Sequence, residues 1–317
     1  MTTALRHTPF SGTLSTSRRI RNRLATILMF LAFVVAAVPL IVVLVTLVTK
    51  GAGLIFQSDW WTQDIPSNVA ASALADKADQ FGITPSTTVS TEVVYGMWPA
   101  IYGTLLTTAL AAVMSIPLGV MAAIYLNEYG GKGRVASTIR FFTDVMTGVP
   151  SVVMGIFIFT VWVVPVQEAG RSAFAGSLAL GCLMLPVVVR STEEMLRLVP
   201  DSLRQASAAL GAPKWRTIVK VVLPAALPGI TSGSMLAVAR AAGETAPVLF
   251  AIGTVSAVNY SLSGPNTTLS AQIFSNATQP GGESIAWGAA LTLILIVVVL
   301  TLVARFITSK FSVRVDG

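Results

Sequence analysis

The chain has 317 residues, 54% hydrophobic and 11% charged, with one cysteine, one histidine and a formal net charge of +7, and its mean hydropathy is +0.75. So little polar surface cannot coat a soluble globule; at about 20 apolar residues per span, the length holds several membrane spans and their loops but no large extra domain. Cys182 alone supports no disulfide framework, His7 alone supports no zinc site or Ser-His-Asp triad, and the basic residues form short clusters rather than a nucleic-acid-binding domain.

Residues 1–17 are rich in Thr and Ser without periodicity and are expected to be unstructured. Arg18, Arg19, Arg21 and Arg23 then precede an apolar run at 24–49, too long for the core of a signal peptide and suited to an uncleaved first span. Five more runs follow at about 95–126, 138–164, 173–192, 229–255 and 285–308, so the chain reads as an all-α polytopic membrane protein of six spans in one domain. Seventeen of the 21 Lys and Arg fall in the tail, near 132–140, in 190–220 and at the end. Three (Lys50, Lys77 and Arg171) fall in the intervening loops, and Arg240 lies within a span. That bias places both termini in the cytoplasm.

The first outer loop, 50–94, carries Asp59, Asp64, Asp76 and Asp79, to which no role is assigned. Trp60, Trp61, Trp98 and Trp287 fall near predicted boundaries and read as depth markers at the membrane interface. In the third span Gly148-Val-Pro-Ser151 is the clearest helix break, because an interior proline removes a donor and frees a carbonyl. At the inner end of that span Arg140 and Asp144, four apart, read as a structural clamp.

The inner loop 193–228 is more patterned than a simple return needs. Ser202 and Gln205 have capping-box spacing, Leu203, Ala206, Ser207 and Leu210 form a small stripe, and Gly211 suits a left-handed helix end. Pro213 then opens a second helix with Trp215, Ile218, Val219 and Val222 on one face and Lys214, Arg216 and Lys220 on the other. On physical grounds this hairpin either lies on anionic lipid or docks a partner.

In the fifth span Arg240 and Glu244, four apart, precede Thr245 and Pro247. A charge at mid-membrane costs about 2.5–3.5 kcal/mol, so two of them need a reason. Either they neutralise each other for packing, or the guanidinium receives an oxyanion through its planar fork while Glu244 holds it when the site is empty.

The run Gln205-Ala-Ser-Ala-Ala-Leu-Gly211, nine residues, then Val221-Val-Leu-Pro224 resembles the EAA loop of binding-protein-dependent ABC importer permeases. Gln205, Ser207 and Val221 replace the family Glu, Ala and Ile. From about Gly96 to Phe311 the chain is similar to the phosphate-specific permease family PstA. Pro99-Ala-Ile-Tyr-Gly-Thr104, Gly148-Val-Pro-Ser151, Leu185-Pro-Val-Val-Val-Arg-Ser-Thr-Glu-Glu194, Gly243-Glu-Thr-Ala-Pro247 and Gln272-Ile-Phe274 carry this likeness.

The resemblance implies a type I (MetI-like) permease fold and phosphate import across a prokaryotic plasma membrane. It also implies a PstC-like second permease subunit, a dimeric nucleotide-binding ATPase subunit and an extracytoplasmic phosphate-binding protein. On that reading Gln205, Ala206, Ser207, Gly211, Leu223 and Pro224 couple to the ATPase, and Arg240, Glu244 and Thr245 lie on the substrate path. With no G-x-x-x-x-G-K-[ST] in the sequence, ATP and Mg belong to the partner, this chain binds no cofactor and is no enzyme. A permease for another oxyanion and a stand-alone ion-coupled carrier are the alternatives.

Overall fold

A computed structural model describes residues 16–65, 96–131, 133–166, 170–279 and 282–311, with side chains of the last helix described to Phe306. The expectations for residues 1–15, His7, Asp76, Lys77, Asp79, Lys132 and Arg314 lie outside these residues. Every regular element among the described residues is helical. Five helices are long and apolar enough to cross a membrane, or six if one bent pair counts as a single span, so this is a multi-pass membrane protein.

Residues 1–49 and 50–317 form two units. In the first, helix α1 (Thr16–Ile55, its last turn belonging to the second unit) is apolar on all sides from Leu24 onward and exposes nearly all of these side chains. An all-round apolar helix is what lipid or another membrane helix covers.

In the second unit, α2 (Ser58–Thr62) precedes α3 (Trp98–Tyr129). The expected third span is two helices, α4 (Arg134–Gly148) and α5 (Ser151–Val163), bent by 106°. Proline explains the bend. Val149, just before Pro150, is driven to an extended conformation (φ −74, ψ 130), and Pro150 (φ −58, ψ 139) starts a new helix. Helix α6 (Ala173–Leu198) continues past the expected end at 192, and α7 (Asp201–Ala209) follows. Helix α8 (Lys214–Gly243) joins the amphipathic stretch to the fifth span without interruption, then α9 (Ala246–Ala251), α10 (Leu269–Ala277) and α11 (Glu283–Phe311) complete the unit.

Small residues let these helices approach closely. Gly119 of α3 faces Val188 of α6, Ser115 Oγ donates to the Gly181 carbonyl at 3.1 Å, and Gly229 and Gly233 of α8 meet Met195 and Ser191 of α6. Around them Ala111, Leu180, Met184, Val188, Ala237, Ala241, Val248 and Ile252 form a core shared by α3, α6, α8 and α9. Trp60 corrects its reading as an interface marker: it is fully buried, donates through Nε1 to Thr292 Oγ1 at 2.9 Å, and packs with Met97, Ile101 and Leu293. A buried indole needs a partner for its N–H, and Thr292 supplies it.

Candidate functional site: a broken helix and a charged hairpin

The fifth expected span ends early. Pro247 cannot continue an α-helix from Gly243, because its ring meets the carbonyl four residues back and it has no N–H to give. Accordingly α8 stops at Gly243, Glu244 is extended (φ −71, ψ 125), and α9 begins after Thr245 with Pro247 in its first turn. Arg240 Nε donates to Glu244 Oε1 at 3.3 Å, so the two charges do meet, but at a helix end rather than within a continuous span. The Arg240 side chain is 66% exposed against 18% for Glu244, and its terminal Nη groups donate to no partner among the described residues. The Thr245 hydroxyl caps nothing.

The break is held from two sides. Gly155 of α5 packs so closely on Pro247 that an added Cβ would stand 2.6 Å from the Pro247 Cα, so the second halves of both broken spans cross in contact. On the other side Ser270 Oγ donates to the Glu244 carbonyl at 3.0 Å, and Thr104 Oγ1 of α3 accepts from the Leu269 N–H at 2.8 Å. Interrupted helices within a membrane are tolerated where the freed backbone groups are buried in protein or line a watery cavity.

The inner loop is a helical hairpin. Gly211 takes φ +77, a conformation that costs a residue with a Cβ, and the chain closes in a Schellman turn: Gly211 N–H donates to Ala208 O at 2.9 Å and Ala212 N–H to Ser207 O at 3.2 Å. Ser207, where the family has Ala, bonds Thr217 across the hairpin (Oγ to Oγ1, 2.8 Å). Two details differ from expectation. The capping box does not form, because Pro200 takes the N-cap position, so Ser202 falls inside the first turn and Gln205 lies exposed beyond it. The apolar face of the second helix is also divided: Ile218 and Val222 are buried, whereas Trp215 and Val219 are exposed together with Leu210. A π turn at Ile218–Val222 accompanies this, with Leu223 N–H reaching Ile218 O just before Pro224, which has no N–H of its own. Ala206 is exposed on α7 and Leu223 is partly buried against Ala226 and Ile230.

The clamp assigned to Arg140 and Asp144 is a correction. The two do not pair with each other: Asp144 pairs with Arg190 and Arg140 Nε with Glu193 Oε1 at 3.2 Å, both on α6. Arg preceding an acid is the weaker order for an i,i+4 pair, and α4 packs on α6, whose charges offer a better alternative. Glu193, only 3% exposed at its side chain, also accepts from Arg197 at 2.6 Å. Arg204 (21% exposed) meets Glu128 (8% exposed) at 3.0 Å. Sequence reasoning missed Glu128, Glu193 and Arg204. The local signals were the i,i+4 spacing of Glu193 and Arg197 and the i,i+3 spacing of Asp201 and Arg204, each with the acid first.

Residues 115–316 match the family described as "Binding-protein-dependent transport system inner membrane component". "Phosphate transport system permease protein PstA 1" of Mycobacterium tuberculosis is 43% identical over 94% of this chain and 92% of its own length. "Phosphate transport system permease protein PstA" of Yersinia pestis is 38% identical over 92% of each. Among solved structures, the MetNI methionine ABC transporter in an inward-facing conformation covers 68% of this chain and 95% of its own at 18% identity, with a TM-score of 0.51. A bacterial ABC transporter involved in the import of the acidic polysaccharide alginate covers 92% and 99% at 15% identity, with a TM-score of 0.52. At those identities the likeness establishes the fold, that of MetI-like importer permeases. By family match and by relatives spanning nearly its whole length, the chain belongs to the inner-membrane components of binding-protein-dependent transport systems, in the branch of phosphate transport permeases called PstA.

Proposed function

We propose that this chain is the permease subunit of an ATP-binding-cassette importer that carries inorganic phosphate into the cell across a prokaryotic plasma membrane. The observation that carries the reading is the open fork of Arg240 beside a helix break, in a chain whose relatives are named for phosphate transport. A guanidinium keeps its charge when desolvated and offers two parallel donors to an oxyanion, and Glu244 holds it through Nε while leaving the fork free. Thr245, in the break itself, adds a hydroxyl to the same path.

Family membership makes an ATPase and a substrate-binding protein its partners. In finer detail the partners are a PstC-like second permease subunit, a dimeric nucleotide-binding subunit and an extracytoplasmic phosphate-binding protein. ATP and Mg are bound, and the ATP hydrolysed, by the nucleotide-binding subunit, and this chain holds no cofactor. The hairpin loop 203–224 docks that subunit. In support, its tip exposes Leu210, Trp215 and Val219 beside Lys214, Arg216 and Lys220, an apolar knob with a basic rim. Closure and reopening of the ATPase then move the hairpin and switch the path between its two sides.

The test is ATP-driven uptake by the purified complex in proteoliposomes with its binding protein outside. Labelled phosphate should accumulate only with the ATPase subunit present, and excess sulfate should not compete. Equal competition by sulfate, or uptake without the ATPase, would overturn the reading.

A further inference from the structure

The hairpin and the broken span α4–α5 both bear on one short turn, residues 125–131, made of the π-helical end of α3 and the two residues after it. The chemistry of that junction is carried by two acids, Glu193, which is buried, and Glu128, which is partly buried. Glu128 is gripped by both arms of the hairpin. Its Oε1 accepts from Arg204 Nη2 of α7 at 3.0 Å, and its backbone carbonyl accepts from Lys214 Nζ at the start of α8. Lys214 also stands 4.8 Å from the centre of the neighbouring Tyr129 ring. The same turn is gripped from the other side by α4: Arg140 donates through Nη2 to Leu126 O at 3.0 Å and through Nη1 to Gly131 O at 3.2 Å. The third nitrogen of Arg140 reaches Glu193, which Arg197 also holds. Arg204 uses its remaining capacity on Leu196 O (2.9 Å) and Val199 O (2.6 Å), the carbonyls at the end of α6.

We propose that Glu128 and Glu193 are positioning residues of the transport cycle, locking the 125–131 turn so that displacement of the hairpin is delivered to α4, the first half of the broken span. This rests on the reading of the chain as an ATP-driven permease. The hairpin also continues covalently into α8, but that route bypasses α4. The polar contacts run in series, from Arg204 and Lys214 to the 125–131 turn and from the turn to Arg140 of α4, which Glu193 holds in place. Glu193 is shared by two cations, and the Glu128 carboxylate is held by Arg204 and by Asn127 Nδ2 at 2.9 Å, arrangements that fix relative position instead of merely neutralising charge. Coupling through a packed route is a claim about energy, and it is tested by whether two sites fail to act independently.

Glu128→Gln, Glu193→Gln and the double variant are compared with the parent in the full complex in proteoliposomes, measuring phosphate taken up per ATP hydrolysed. Each single change should lower that ratio by about ten-fold while complex yield and ATP hydrolysis stay within about two-fold, and the double should be no worse than the poorer single. An unchanged ratio overturns the proposal, as does a fall in hydrolysis parallel to lost complex, or a double variant showing the product of the two single losses. If the parent complex itself shows no ATP-driven phosphate uptake, the underlying functional reading fails instead.

Discussion

Two guanidinium groups in this chain sit in opposite surroundings. Arg204, at the base of the hairpin, spends its donors on Glu128, Asp201 and the carbonyls of Leu196 and Val199. Arg240, at the break between α8 and α9, makes one long bond to Glu244 and leaves its fork open to the surroundings. Both lie within four residues of an acid on the same helix or at its end, so local spacing does not distinguish them. What distinguishes them is the density of acceptors around each. A guanidinium with both Nη groups engaged has no fork left for a ligand and serves as a bolt. An unsaturated one that is held by a single acid keeps donors available for an anion.

The comparison can be broken by substitution, and the largest effect on stability should come at the bolt. Arg204→Ala leaves the Glu128 carboxylate nearly buried without its cation, so the solubilised complex should lose about 3–5 kcal/mol, read as a fall in thermal midpoint and earlier proteolysis in the hairpin. Gly211→Val forces a β-branched residue into φ +77 and should cost about 1–2 kcal/mol by the same measurement, with weakened association of the ATPase subunit. Ser207→Ala restores the residue the family pattern has and removes the bond to Thr217, for a loss of about 0.5–1.5 kcal/mol. Arg240→Ala, by contrast, should change stability by no more than about 0.5 kcal/mol, because the group is largely exposed and its one ion pair is long. A stability loss at Arg240 as large as that at Arg204 would erase the distinction.

Much of this was legible in the sequence where the controlling physics is local. Hydropathy located the spans, and the position of Gly211 ahead of Pro213 foretold a left-handed helix end. The break after Gly243 was legible too, in the four-residue offset from Pro247, although the sequence reading treated 229–255 as one span. What escaped were pairings between residues far apart in the chain. Glu128 and Arg204 are 76 positions apart and Arg140 and Glu193 are 53 apart, and no periodicity links them. The reading of Arg140 with Asp144 failed for that reason: the sequence displays neighbours on one helix, whereas α6 supplied stronger partners to both. Trp60 was misjudged in the same way, since nothing near it in sequence announces the Thr292 hydroxyl.

The most direct measurement is phosphate uptake by the assembled complex carrying Arg240→Ala, with Arg240→Lys beside it. Loss of two charge-assisted bonds of about 1.5 kcal/mol each predicts a fall on the order of a hundred-fold for Ala, with complex assembly unchanged. Lys, which keeps the charge and loses the planar fork, should fall between the two. Uptake close to that of the parent by a correctly assembled Arg240→Ala complex would contradict the account.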